Sequence, residues 1–351
     1  MTAEHTQETA VPEGAPSLPL FGIAFGYMSA QMLHVFTRLG LADRLAEEPR
    51  DGAELAVAVD ADAGALERLL RASTMLGLVR ETEQGRFELT PQSHLLRADV
   101  PGSVRPFLLT YFDDAVWHAW GSLEHSVRTG ESAFEHTHGV DMFTHFSASP
   151  ELNTMFHRAM SLGTAQEAAA LAAAHDFTAH HTVVDVGGGN GTLLSVILSS
   201  APGTRGVLLD TADGTTEAAE VLNRAGAADR CEVLHTDFLA AAPPAADAYV
   251  LKSVLHDWDD ERCRAILRNV RAAMPDDAVV LVVELLAPET TRSGLDPYLA
   301  ISDVNLLVTT SGRERTETEL TELLSDAGLA VESGSRSLGG TGHRLLVARS
   351  A

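Results

Sequence analysis

The stretch Val183-Val184-Asp185-Val186-Gly187-Gly188-Gly189-Asn190-Gly191-Thr192 constrains the fold more than any other part of the chain. An apolar run of strand length ends in a glycine-rich turn, and the turn opens into a helical pattern, Leu193 to Leu198. Gly187, Gly189 and Gly191 remove the Cβ atoms that would hold a ligand off the backbone, and they permit the positive φ angles of a tight strand-to-helix turn. The spacing, G-x-G-x-G, departs from the dinucleotide fingerprint G-x-G-x-x-G, and no G-K-[ST] follows as a phosphate-binding loop requires. Neither NAD nor ATP is therefore expected. A second apolar run, Gly206-Val207-Leu208-Leu209-Asp210, ends in a carboxylate about 20 residues on, where a doubly wound fold sets an acid against ribose hydroxyls. A ribose-bearing ligand without a pyrophosphate fits both features.

Beyond residue 181 strands and helices alternate, with strands near 182–186, 206–210, 231–235, 247–252 and 279–284. The alternation predicts an α/β fold: a Rossmann-like, doubly wound, mostly parallel sheet with helices on both faces and a ligand crevice at the carboxyl ends of the strands. A last helix, Glu317 to Ala327, and apolar segments near 329–332 and 343–348 predict a closing hairpin added to the sheet. Upstream, apolar residues recur at helical spacing from Phe21 to Leu45, including Met32, Val35, Phe36 and Leu39, which predicts one amphipathic helix ending near Gly40. Two shorter helices follow, the second around Ala65 to Leu76, and then two segments, 77–80 and 86–89, read as a hairpin; this is winged-helix order. Residues 101–180 read as helical, and Trp117, Trp120, Phe143, Phe146, Phe156 and Met160 supply bulky apolar surface; most of it reads as core, with a minority left to wall a flat aromatic ligand and Met160 the best placed to do so.

At 351 residues two domains are expected. The divisions predicted are a disordered tail at 1–18, a winged-helix-like domain at 19–100, a connector of pocket helices at 101–178 and a ligand-binding catalytic domain at 179–351. The tail carries Glu4, Glu8 and Glu13 with two prolines and no basic segment, so it does not read as a signal peptide. Charge decides what the winged-helix order means. Residues 1–100 hold 8 arginines against 15 acidic residues, and the whole chain carries −24, whereas a DNA-reading domain is normally basic. Dimerisation or a lid over the substrate is expected of this domain; no nucleic acid and no membrane are expected as partners. Two cysteines, Cys231 and Cys263, suit a reducing cytoplasm, and they have no metal-ligand spacing, so no metal is expected.

His256 follows the core strand Tyr249-Val250-Leu251-Lys252 and precedes Asp257-Trp258-Asp259-Asp260, where Asp259 or Asp260 can cap the next helix. It therefore falls at the crevice, where a histidine is the natural general base near neutral pH. Two carboxylates are placed to orient it: Glu284 at the end of an apolar strand and Glu314 just before the last helix. Lys252 is the only lysine in the chain, and its position at the end of a core strand calls for an explanation.

Four ordered motifs, Val-Asp-Val-Gly-Gly-Gly-Asn-Gly at 184–191, Thr-Asp-Phe at 236–238, Leu-Lys-Ser-Val-Leu-His-Asp-Trp-Asp-Asp at 251–260 and Gly-Arg-Glu-Arg-Thr at 312–316, span much of the chain. With these motifs the chain resembles the small-molecule O-methyltransferases that use S-adenosylmethionine, the group shared by plant caffeate-type enzymes and bacterial natural-product enzymes. The resemblance covers nearly the whole chain and implies a class I methyltransferase fold behind an N-terminal dimerisation domain, and hence a homodimer. It implies that Gly187, Gly189 and Gly191 hold the methionine part of the cofactor, that Asp210 accepts both ribose hydroxyls, and that Asp237 and Phe238 hold the adenine. Lys252 and Ser253 match the strand end beside them, and Ser161 a weaker cofactor contact. Met160, Asn305 and Asp257 fall on the acceptor side. Asn305 replaces the apolar residue common in plant enzymes, which implies either a more polar acceptor or a local hydrogen bond. His256 is the implied base, with Glu284 and Glu314 holding its imidazole from either side, and S-adenosylhomocysteine is the implied product. The acceptor implied is a phenolic or enolic hydroxyl on an aromatic natural product. Abundant alanine and arginine in place of lysine suit a GC-rich bacterial genome and an antibiotic-type pathway. Two alternatives stay open: a relative that keeps the cofactor motifs but hydroxylates or decarboxylates, and a ligand sensor that binds DNA.

Overall fold

The computed structural model describes residues 18–290 and 296–351. The expected tail lies outside the described residues apart from Leu18, which opens the first helix. The protein divides into two units, Met1–Arg105 and Pro106–Ala351.

In the first unit the expected single helix is broken. Helix Leu18–Ala24 hands over at Phe25 to Gly26–Arg38, and Gly40, at φ +64, ends that helix before a short turn Leu41–Arg44. Glycine costs about 1 kcal/mol in a helix interior and readily takes a left-handed conformation, which explains breaks at Gly26 and Gly40. Helices Gly52–Ala58 and Ala63–Met75 follow; each is capped by an aspartate, Asp51 or Asp62, that accepts a backbone N–H three residues on. Strands β1 (Val79–Glu81) and β2 (Phe87–Leu89) then pair as an antiparallel hairpin.

The second unit begins with short helices, among them Asp114–Gly121, Pro150–Met160 and Thr164–Ala174, which belong to the same unit as the sheet. The sheet strands are β3 (Thr182–Val186), β4 (Arg205–Asp210), β5 (Cys231–His235), β6 (Ala248–Lys252) and β7 (Val279–Glu284). After the short β8 (Leu286–Ala287) and β9 (Arg315–Thr316) come β10 (Leu329–Val331), β11 (Arg336–Ser337) and β12 (Arg344–Ser350). The order is β10-β12-β7-β6-β3-β4-β5, with β11 off the path on β12. The pairs from β5 to β7 are all parallel, whereas β12 runs antiparallel to both β7 and β10. The closing hairpin exists, but β12 is inserted between β7 and β10, so its first strand ends up at the sheet edge.

Each strand alternates between two cores, as a pleated sheet covered on both faces requires. Val184, Val186, Tyr249, Leu251, Val280 and Val282 pack against the helices Asp260–Ala273 and Glu317–Asp326. Val183, Val250, Leu281 and Val283 face the opposite core with the helix Thr192–Ser200. Because β3 pairs with β4 on one side and β6 on the other, the chain reverses its winding at β3/β6. The carboxyl ends of the strands at such a switch point are where doubly wound folds bind their ligands. Among the described residues no helix is long and apolar enough to cross a membrane.

Candidate active site

The glycine turn after β3 takes the backbone the sequence requires, with φ +71, +55 and +77 at Gly187, Gly189 and Gly191. At Gly187 an added Cβ would lie 2.8 Å from Val254 Cγ2, so the turn is closed as well as left-handed. Asp210, at the end of β4, accepts a hydrogen bond from the Gly189 N–H at 2.8 Å through Oδ2 and from the Thr211 N–H at 2.6 Å through Oδ1. A carboxylate has about four lone-pair positions, so both oxygens retain capacity for ligand hydroxyls. Beneath the loop, Asp185 is buried within the apolar strand; burial, followed by the nearby Asp210 carboxylate, pushes it up to about 7. Its Oδ2 has no hydrogen-bond partner in the protein. The cradle of Cβ-free turn and open carboxylate suits a small polar ligand with a ribose.

Phe238 flanks the same turn, its ring 3.6 Å from the position a Cβ on Gly187 would occupy. Asp237 is exposed, and its Oδ1 accepts the Leu239 N–H at 2.9 Å. Asn269 fixes this turn by donating to the carbonyls of Phe238 and Leu239, both at 3.0 Å. His157, absent from the sequence-based site, faces the glycine turn with Nδ1 3.9 Å from a Cβ built on Gly189.

His256 sits on a 3-10 turn, Leu255–Asp257, after β6. Its Nδ1 lies 3.6 Å from Glu284 Oε2 and 3.5 Å from Glu314 Oε1, and these carboxylate side chains are 4 % and 0 % exposed. Both acids therefore face the same ring nitrogen, which corrects the expectation that they hold the imidazole from either side. Asp257 takes the other side, its Oδ1 3.7 Å from Nε2. The two glutamates, far apart in sequence, are brought together because β8, just after Glu284, pairs with β9, just after Glu314. Glu284 is anchored by the N–H groups of Val254 and Leu255, at 3.1 and 2.9 Å on Oε1; Glu314 is anchored by the Ser302 hydroxyl at 2.7 Å. Nδ1 and the glutamate oxygens lie within 4.8 Å of one another, close enough to share one proton or one cation.

Burial disfavours the imidazolium, but the carboxylates of Glu284, Asp257 and Glu314 outweigh it and hold His256 up at about 10. Burial raises Glu284 to about 7 and Asp257 to about 6. The group as a whole binds a proton and keeps Nδ1 on the glutamate side, while Nε2 faces Asp257 and, in the neutral ring, can take the proton of an incoming hydroxyl.

Asp259, and not Asp260, caps the helix Asp260–Ala273 by accepting from the Arg262 N–H at 2.8 Å. Asp260 instead binds Arg315, whose guanidinium also donates to the carbonyls of Leu255 and Trp258 and so braces the His256 turn. Met160 ends its helix 38 % exposed, and Ser161 donates its hydroxyl to the His157 carbonyl at 2.7 Å. Asn305 accepts from Trp120 Nε1 at 3.2 Å, so of its two readings the local hydrogen bond is present. Lys252 Nζ lies 2.6 Å from Glu167 Oε2. Ser302, Arg315, Glu167 and Asn269 were not legible as site residues, because each acts through a partner distant in sequence. The buried acid Asp185 did carry a signal, a carboxylate inside an apolar run of three valines, Val183, Val184 and Val186.

The chain is similar to known proteins over nearly its whole length. The family described as O-methyltransferase domain matches residues 120–330, and the O-methyltransferase dimerisation domain matches residues 21–99. The chain is 44 % identical to an O-demethylpuromycin-O-methyltransferase of Streptomyces alboniger over 93 % of this chain and 86 % of that one. The solved structure of a mitomycin 7-O-methyltransferase aligns with a TM-score of 0.91 at 36 % identity, covering 97 % of this chain and 99 % of the other. A neocarzinostatin-pathway O-methyltransferase, solved with S-adenosylmethionine and 2-hydroxy-5-methyl naphthoic acid, aligns with a TM-score of 0.80 at 32 % identity over 92 % of this chain and 96 % of its own.

Proposed function

The chain belongs to the O-methyltransferase family whose enzymes use S-adenosylmethionine, and on that premise we propose that it methylates a phenolic hydroxyl of an aromatic natural product, with His256 as the general base. The observation that carries the proposal is the imidazole whose Nδ1 faces two buried glutamates while Nε2 stays on the other side. When bound, S-adenosylmethionine supplies an electrophilic sulfonium methyl group, so the protein's tasks are to align the acceptor oxygen and remove its proton. Gly187, Gly189, Gly191 and Asp210 form the cradle for the cofactor, with Asp237 and Phe238 on the adenine side and Ser161, Lys252 and Ser253 around them. Met160, Asn305 and Asp257 lie on the acceptor side. As Nε2 takes the hydroxyl proton, Glu284 and Glu314 stabilise the resulting imidazolium. The match to a dimerisation domain supports a homodimer, and two free cysteines fit a reducing cytoplasm.

The test is incubation with trideuteromethyl S-adenosylmethionine and a panel of hydroxylated aromatic acceptors. A labelled methyl carried on oxygen, located by mass and carbon–proton correlation, supports the reading. Transfer to nitrogen, gain of oxygen or loss of carbon dioxide would send it to a different reaction.

Two further outcomes are expected. Asp210→Ala should weaken S-adenosylmethionine binding about tenfold or more in a calorimetric titration, the order of hydrogen bonds to a charged acceptor; wild-type affinity in the mutant would remove Asp210 from the cradle. The base works only when neutral, and its pKa is raised, so activity is lost as pH falls through a pKa above the ordinary histidine value. At saturating cofactor the acid limb of kcat/KM should therefore lie above about 6.5, and Glu284→Gln should lower it by about 1 unit or more by removing one carboxylate. Coincident profiles in the two proteins would sink the assignment of Glu284.

A further inference from the structure

Outside the His256 group the second unit holds another buried charged cluster. Lys252, the only lysine of the chain, and Glu167 are each 13 % exposed, with Nζ 2.6 Å from Oε2; the ammonium also donates to the Thr164 hydroxyl at 3.4 Å. Glu167 Oε1 lies 3.6 Å from His343 Nδ1, and His343 Nε2 lies 3.3 Å from the Ser253 hydroxyl. Three elements meet here: the first turn of the helix Thr164–Ala174, the end of β6, and the residue before β12. Ser253 has φ +51, a conformation that non-glycine residues rarely hold without a constraint.

The position of this cluster gives its charge a consequence. β6 pairs with β3, which leads into the glycine turn, and Lys252 lies within electrostatic reach of Asp185 beneath that turn. S-adenosylmethionine carries a sulfonium, an ammonium and a carboxylate, one net positive charge; S-adenosylhomocysteine lacks the sulfonium and is neutral overall. A lone buried ammonium beside the crevice would disfavour the cationic cofactor relative to its neutral product.

We propose that Glu167 is a positioning residue that neutralises and orients Lys252, and thereby makes the site favour S-adenosylmethionine over S-adenosylhomocysteine. The inference rests on the cofactor lying over the glycine turn and the end of β6. His343 adds a proton-dependent layer. It faces Glu167, Lys252, Ser253, the Thr341 carbonyl and, farther off, His256, and burial keeps it neutral more strongly than an ordinary histidine. When it gains a proton, its charge offsets Glu167.

The experiment is calorimetric titration of the full chain with S-adenosylmethionine and S-adenosylhomocysteine separately. Glu167→Gln keeps the shape and removes the charge. It should lower the ratio of the two affinities about three- to tenfold, the scale of one unit charge acting across several ångströms of protein, with S-adenosylhomocysteine affinity nearly unchanged. Glu167→Asp should keep the ratio near that of the wild type. Equal weakening of both ligands in Glu167→Gln overturns the proposal and leaves Glu167 as a support for its helix. His343→Gln provides a second route should Glu167→Gln not fold: as pH drops below the ordinary histidine range the wild-type ratio should fall more steeply than that of the variant, Asp185 titrating alike in both, and parallel pH curves overturn the proposal. Asp210→Ala separates the premises. If it weakens both ligands while Glu167→Gln fails to change their ratio, only the Glu167 inference falls; if it weakens neither, the cofactor placement falls and takes the inference with it.

Discussion

His256→Ala should lower kcat by about 10²–10⁴ and leave the affinity for S-adenosylmethionine nearly unchanged, because the histidine removes the acceptor proton and makes no part of the glycine cradle. The geometry separates the two functions. The cradle is built from the ends of β3 and β4 with Phe238, bordered by the end of β6, whereas His256 stands on the turn that follows, with Nδ1 on two anchored glutamates. Removing the imidazole also leaves Glu284, Glu314 and Asp257 without their shared counter-charge, a cost that shows in stability before it shows in chemistry. His256→Gln controls for this, since an amide donates to the glutamates but cannot take up a proton at neutral pH. Both variants should bind cofactor and fail to turn over. A kcat within threefold of wild type in either would reject His256 as the base, and loss of cofactor binding in both would recast it as a structural residue of the crevice.

What the sequence disclosed about this site, and what it did not, follows from the range of each interaction. The strands β3 to β7 were legible to within a residue or two because an apolar run between turn signals is a local pattern, and the turn after β3 because only glycine suits its three positive φ angles. The break at Phe25 was not, since helical periodicity continues through Gly22 and Gly26 even though their backbone is weak. His256, Glu284 and Glu314 were recognisable as strand-end and loop residues, yet no periodicity states that both acids approach one nitrogen. That fact depends on β8 pairing with β9, a ladder of two residues on each side. Long-range partners such as Glu167 with Lys252, or Ser302 with Glu314, exist only once the chain has folded. Asn305 was ambiguous for the same reason: only the fold brings Trp120 to it.

Gly312→Ala should disable the enzyme nearly as thoroughly as loss of His256, from a residue with no side chain and no chemistry. A Cβ at Gly312 would collide with the His256 carbonyl oxygen and lie 2.8 Å from the Asp257 carbonyl carbon and 2.9 Å from its Cα. These are backbone atoms, so no side-chain rotation relieves the overlap; the irregular segment 312–314 before β9 and the His256 turn must move apart. They are joined by the Arg313 N–H donating to the His256 carbonyl at 2.9 Å, and Glu314 follows immediately. Separation thus stretches the distance between Glu314 and Nδ1, which already stands at 3.5 Å, and loosens the brace from Arg315 to Leu255 and Trp258. Overpacking of this kind costs about 1–3 kcal/mol, enough to lower the melting temperature by several degrees without unfolding the protein at 25 °C. Turnover should fall at least about 100-fold, since a displacement near 1 Å at a catalytic group has that effect, while binding of S-adenosylmethionine persists. Gly203→Ala is the matched control, because nothing lies within 4 Å of a Cβ built there. If Gly312→Ala retains wild-type kcat, the contact between these two backbone segments does not set the base, and Glu314 must be oriented by Ser302 alone.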